Sequence, residues 1–261
     1  MGTADFVRSL GVRDLPPLTS PFDPGYDPGT VESHLDQSAA LMSMLKLSMA
    51  SWLVADEEAT RRKLAAAEVR GVRTTTGGGP FEIAVAQDRL AAYLDLCAGL
   101  GFDRVEYGAG FIAIVADPSH LVAQAHERGL EVQFELGDKH GGPFDEPTVA
   151  ALVDEGQRWL DAGAVQLVIE ARESAQGIGV FDGAGELDAG AAERFVEAFG
   201  FDVVVFEAPT KASQFAFLDR FGPEVALSNV RLEELLRVEI YRRGLHADAF
   251  LVPGLRPGPP A

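Results

Sequence analysis

A single-domain (β/α)8 barrel (a TIM barrel) is what this sequence predicts, on three observations. Short apolar runs alternate with amphipathic stretches eight times along the chain. Seven of the helical stretches stop at a glycine: Gly71, Gly101, Gly129, Gly163, Gly200, Gly222 and Gly244. The strand ends recur about every 29 residues, the unit size of a barrel of roughly 250 residues. A doubly wound open sheet would use fewer strands and carry a glycine-rich dinucleotide turn after the first. No such turn follows the first strand here.

Residues 1–17 carry little pattern and are expected as a lead-in across the bottom or side of a barrel spanning 18–250. The first strand, 18–22, contains Pro21 and runs into the turn sequence Asp23-Pro24-Gly25. A helix over 31–42 and a short strand over 44–47 carrying Lys46 follow. Asp56 is placed to cap a helix over 57–70. A strand over 72–76 leads through Gly77-Gly78-Gly79-Pro80 into one helix over 81–100, with Ile83, Leu90, Leu94 and Cys97 on one face. The strand 104–106 precedes Gly108-Ala109-Gly110 and a helix opened by Pro118. The strand 130–135 precedes a loop with Asp138, Lys139 and His140 and a helix over 148–162.

The run from Val165 to Ile169 then meets Glu170, Arg172, Glu173 and Ser174, and Gly177 and Gly179 keep the ensuing segment from being helical. A helix over 191–199, a strand over 203–206 ending at Glu207, and a helix over 212–221 come next. A strand over 225–227 ending near Asn229 and a helix over 232–243 complete the eighth unit. The Pro-rich stretch 251–261 is expected as a disordered tail.

Forty acidic residues against 22 basic ones give a formal charge of −18, a field that repels nucleic acid and anionic membrane surfaces. No apolar run is long enough to cross a bilayer, and no signal-type core is found, so the expected setting is cytoplasmic. The single cysteine, Cys97, excludes an internal disulfide. A homo-oligomer is compatible with all of this. Trp52, Trp159 and Cys97 read as packing. The Gly77–Gly79 run lacks the Lys and Ser/Thr of a P-loop.

Barrel enzymes carry their chemistry at the C-terminal ends of the strands. Four consecutive strands end in glutamate here: Glu106, Glu135, Glu170 and Glu207. Four carboxylates in a partly dry mouth repel, and protons or a cation must relieve them. A hard divalent ion held through oxygen, Mg²⁺ or Mn²⁺, is the expected answer. The competing reading pairs them with cations across the rim, Arg172 and Lys139 being candidates. Lys46 would face them from the second strand, and Lys139, His140, Arg172 and Lys211 lie in loops on the same face. Cations opposite a carboxylate-bound metal suit an enolate or carboxylate substrate, with a lysine moving a proton at the neighbouring carbon.

The elements IEARES with the following GIGVFD, FEAP-x-K, GGG-x-FEIA, GFDRVE and RRGLHAD resemble the phosphosulfolactate synthases of coenzyme M biosynthesis. The resemblance runs from about Leu18 to Phe250. It implies a (β/α)8 barrel and a carbon–sulfur lyase or synthase that adds sulfite to phosphoenolpyruvate with Mg²⁺, through an enolate-like intermediate protonated by a lysine. It also implies Lys139, Lys46 and Arg172 as catalytic residues. Asp23, Glu82, Arg172, Lys211 and Asn229 are implied as substrate ligands, and Glu106, Glu135, Glu170 and Glu207 as metal ligands. The chain departs from the family pattern at Pro24, where the family reads D-K-G, and at Ser48-Met49-Ala50, where it reads Gly-Trp-Gly. It departs again at Ala109, where the family reads S-D-G, and at Asp138, where it reads GKK. Two cations and one carboxylate are thereby lost from the mouth, which favours a less highly charged unsaturated carboxylate. The alternative of another class is a catalytically altered barrel serving as a scaffold or stress-associated protein.

Overall fold

Eight short parallel strands close into a barrel in the order β1 to β8. The structure, a computed structural model, describes residues 1–258. The strands are β1 (Thr19–Asp23), β2 (Leu45–Leu47), β3 (Thr74–Thr76), β4 (Arg104–Gly108), β5 (Glu131–Leu136), β6 (Gln166–Ile169), β7 (Val204–Glu207) and β8 (Ala226–Arg231). β1 pairs with β8 to close the ring, with a register shift between Thr19 and Pro21. Pro21 is therefore tolerated where the ladder is already irregular.

Side chains alternate between the lumen and the helix layer along each strand. Val105, Tyr107, Phe134 and Phe206 face the helices, and there Phe81 stacks on Tyr107 at 3.8 Å and Phe134 on Trp159 at 4.0 Å between ring centres. Trp52, Trp159 and Cys97 all lie in this core. The other parity fills the lumen. From β2 to β5 it supplies Lys46, Thr75, Arg104, Glu106, Gln133 and Glu135, whereas β6 to β8 supply Val168, Val205 and Ala226 below Glu170 and Glu207. The β2–β5 side of the lumen is the more polar one, although Gln166 on β6 and Ser228 on β8 share the same parity.

Asp27, Asp56, Asp117, Asp145 and Asp188 each accept a backbone N–H at a helix start, so part of the acidic excess serves as caps. All seven glycines expected to close helices have positive φ, from 68° at Gly71 to 107° at Gly163. The single helix expected over 81–100 is two, Gly79–Ala86 and Leu90–Leu100. The break falls at Asp88, whose φ of 54° no helix accommodates. A helix, Thr3–Ser9, also forms where the lead-in showed no pattern. None of its residues is buried, so no apolar face marks it.

The Pro-rich stretch expected as a disordered tail falls partly outside the described residues. Within its described part, Leu255 is buried in the core and the Gly258 N–H donates to the Gly11 carbonyl. Among the described residues no helix is long and apolar enough to cross a membrane.

Candidate active site at the barrel mouth

The strand-end glutamates converge as the alternation dictates. Glu106, Glu135, Glu170 and Glu207 are each at most 3% exposed. Two ammonium groups are set among them. The Lys46 Nζ lies 2.7 Å from Glu106 Oε1 and 3.7 Å from Glu207 Oε1. The Lys139 Nζ bridges Glu135 and Glu170, 2.7 Å from Glu170 Oε2. The pairing of carboxylates with rim cations is thus present, carried by two lysines.

Each glutamate is also held by the backbone or a neighbour. Glu106 accepts from the Gly78 N–H at 2.9 Å and from Gln133 Nε2 at 2.8 Å. Glu170 accepts from the Arg172 N–H at 2.6 Å, and Glu207 from the Ala171 N–H at 3.1 Å and from Asn229 Nδ2. Glu82, on the helix after β3, is fully buried and accepts from the N–H groups of Phe111 and Ile112 at 2.9 and 3.0 Å. Its Oε1 has no partner, and neither have Asn229 Oδ1 and Ser228 Oγ at the end of β8.

The electrostatics are lopsided. Burial works against both ammonium groups, but the surrounding glutamates more than offset it and hold the pKa of Lys46 and of Lys139 above the ordinary lysine range. Burial also works against Glu135, yet Lys139 and Lys46 bring it below the usual carboxylate range. Burial and the charge of Glu135 push Glu170 up, and burial and the charge of Glu170 push Glu207 well up. Burial raises Glu82. Five carboxyl groups thus share two ammonium counter-charges, and the surplus resides on the β6–β7 side.

The other expected residues fall in different places. Arg172 is exposed at the rim, with its NH1 donating to the Lys139 carbonyl at 2.9 Å. Its φ is 55°, and Met49 at 53° and Asn229 at 51° share that left-handed backbone around the mouth. Lys211 is exposed on the helix after β7, its Nζ 5.1 Å from the ring centre of Phe215, and pairs with none of the glutamates. Asp23 faces the helix layer. Its Oδ2 lies 2.7 Å from the Nζ of Lys63 on the helix Glu57–Val69, while its Oδ1 takes the N–H groups of Gly25 and Tyr26. Gln133 and Lys63 were not anticipated. Gln133 had a signal, since it stands two residues before Glu135 and therefore on the same strand face.

Among the described residues no three His, Cys, Asp or Glu side chains already form a metal-binding group. The donor chemistry nevertheless suits a hard cation, being oxygen throughout and in excess of its counter-charges. Gly78 and Gly108 leave a cradle. A methyl group on Gly78 would meet Glu106 Oε1 at 3.5 Å and Glu135 Oε1 at 3.8 Å, and one on Gly108 would meet Glu135 Oε1 at 3.5 Å and Glu82 Oε1 at 3.7 Å. The unpartnered Glu82 oxygen thus borders the same space as Glu135.

Comparison with known proteins gives one family. The family model described as (2R)-phospho-3-sulfolactate synthase (ComA) matches residues 17–248. The phosphosulfolactate synthase of Methanocaldococcus jannaschii is 31% identical over 234 residues, covering 89% of this chain and 93% of that protein. The phosphosulfolactate synthase of Methanothermobacter thermautotrophicus is 28% identical over 240 residues, covering 89% and 91%. That of Bacillus subtilis is 25% identical over 178 residues, covering 67% and 70%. Among solved structures, a deoxyribose phosphate aldolase from Aeropyrum pernix aligns over 93% of this chain and 99% of its own with a TM-score of 0.57. At 14% identity that likeness shows the fold alone.

Proposed function

The chain belongs to the (2R)-phospho-3-sulfolactate synthase family, and from that membership we propose a cytoplasmic carbon–sulfur lyase that adds sulfite to phosphoenolpyruvate or a related unsaturated carboxylate. The observation that carries the reading is the Lys139 ammonium held between Glu135 and Glu170 at the barrel mouth. In the addition, the sulfite lone pair forms the carbon–sulfur bond at the terminal alkene carbon, and the alkene pair moves toward the carboxylate. The proton needed at the adjacent carbon comes from Lys139, which its neighbours keep protonated. Lys46 faces the developing carboxylate charge from the opposite wall. Arg172, at the rim, can grip an anion with the guanidinium nitrogens not bound to the Lys139 carbonyl.

Mg²⁺ or Mn²⁺ would be held by Glu135 and Glu170 with Glu82, and it would supply Lewis-acid stabilisation of the enolate oxygen when bound. Glu106 is left out of this set because its oxygens accept from the Gly78 N–H and from Gln133 Nε2, and one of them also lies 2.7 Å from the Lys46 ammonium. Glu207 stays on the opposite side as a carboxyl that burial keeps toward its neutral form.

The test is formation of phosphosulfolactate from sulfite and phosphoenolpyruvate, with and without added Mg²⁺, beside calorimetry of Mg²⁺ binding. E170Q should weaken Mg²⁺ binding, since one charge leaves a hard-cation site. No product and no metal binding from the folded protein would sink the proposal and favour the scaffold reading. A second reading within the same chemistry is an acceptor of lower charge. Pro24 and Asp138 support it, since each stands where the family pattern has a cation.

A further inference from the structure

A line of polar side chains runs down the lumen from the mouth, and the proposed addition uses only its upper end. Arg104 enters from the lower end of β4, 9% exposed. Glu131 anchors it through Nε at 3.2 Å and NH2 at 2.7 Å. Its NH1 donates to the amide oxygens of Gln133 at 3.2 Å and Gln166 at 2.8 Å. The opposite end of the Gln133 amide, Nε2, donates to Glu106 Oε2 at 2.8 Å. The remaining Glu106 oxygen takes the Gly78 N–H at 2.9 Å and faces the Lys46 Nζ at 2.7 Å.

We propose that Gln133, with the direction of its amide set by Arg104, is a positioning residue that fixes the Glu106 carboxylate and through it the Lys46 ammonium. A side-chain amide has an accepting end and a donating end, and only one orientation suits both of these neighbours. Reversed, it would turn its NH2 toward a guanidinium and its oxygen toward a carboxylate. Arg104 can only donate, so it selects the orientation that delivers a donor to Glu106. With both oxygens engaged, Glu106 cannot rotate about its terminal bond. Lys46 needs that constraint, because Glu207 stands 3.7 Å away as a competing partner. Arg104 and Gln166 also border a cavity of about 570 Å³ at the N-terminal face, so the guanidinium is reached by solvent from below. The amide above it is sealed, with Gln133 5% exposed.

The inference rests on the reading of Lys46 as a working group of the mouth, and its test is built to stand apart from that reading. Crystal structures of the wild type and of Q133L are compared, together with the kinetics of Q133L, R104M and the double variant. In Q133L the Lys46 Nζ should leave Glu106 and move within hydrogen-bond distance of Glu207. The kcat for phosphosulfolactate formation should fall about ten- to a hundredfold while KM changes less than about threefold, since alignment is lost and not ground-state binding. R104M should act in the same direction. Added to Q133L it should cost less than about a further twofold, because Arg104 acts through the amide. A histidine, which restores a donor, should recover part of the loss in Q133H. If Q133L does not fold, Q133M takes its place. Lys46 remaining on Glu106 in the Q133L structure would overturn the proposal, as would full multiplicative effects in the double variant. Absence of product from the wild type would strike the proposed activity alone, and the Q133L structure would still decide the positioning role.

Discussion

Lys139 is the residue on which the proposed chemistry turns, and its surroundings decide what it can do. Three glutamates outweigh its burial, so it is an acid across the neutral range and not a base. K139A should therefore lower kcat by about 10²–10⁴-fold with KM little changed. Loss of binding with normal turnover would make it a structural counter-ion. Because its folded pKa lies above the unfolded value, its stabilising contribution is complete below the ordinary lysine range. It is lost only as pH rises through the still higher folded value. Glu207 is shifted in the same sense, but its window lies at lower pH and its charged form is the one the fold disfavours. Its raised pKa means the folded state binds a proton more tightly than the unfolded chain, so stability falls as pH climbs above the ordinary carboxylate range. E207Q should raise Tm in metal-free buffer at pH 8, and the gain should shrink toward pH 5. Asn229 can turn its unpartnered Oδ1 toward the new amide, so the packing survives. An equal Tm gain at both pH values would show that charge is not its source. The four strand-end glutamates were legible because each directly follows an apolar residue, and Lys46 because it is the one charge in a short apolar run. The outward turn of Asp23 was not, since that depends on its position within β1 and on a lysine forty residues away.

At the scale of elements, strands were legible from short apolar runs and helix ends from glycine. The split of the stretch over 81–100 was not, because Asp88 interrupts an apolar pattern that continues on both sides. The RRGLHAD element, which the resemblance left without a role, is structural in part. Arg242 is 1% exposed and donates to the carbonyls of Pro223 at 2.6 Å and Val225 at 2.7 Å, to Thr19 Oγ1 at 3.1 Å and to Glu239 at 3.0 Å. It ties the helix Leu235–Arg242 to β1 and to the residues leading into β8, the two strands that close the barrel. R242M should cost about 3–5 kcal/mol in denaturant unfolding, because Glu239 and two carbonyls lose a buried partner. A cost below about 1 kcal/mol would show that the clamp does not hold the closure. The loop after β6 depends on Gly179 in a different way. Its φ is 60°, and a methyl group there would stand 2.1 Å from the Glu170 carbonyl oxygen. That contact passes the backbone of the loop directly beneath a site glutamate.

Across the whole molecule, which carries a formal charge of −18, the lumen is more polar on its β2–β5 side than on its β6–β8 side. The family fold was readable from the eightfold repeat, but the lumen's uneven polarity appears only once parity and register are combined. Loop positions modify the charge that the strand ends bring to the mouth. P24K with D138K should lower KM for phosphoenolpyruvate by about tenfold, since two cations would return to a rim facing a multiply charged acceptor. Unchanged KM would mean that acceptor charge is read elsewhere. The pair Asp23–Lys63 gives this experiment a wider meaning. Its carboxylate is paired behind the sheet with a lysine 7% exposed on the helix Glu57–Val69. Neighbouring position 24 can therefore change without releasing a buried charge. At the end of β1, load and recognition are thus separable: one residue of the turn is bound into the scaffold, and the next is left to meet whatever enters the mouth.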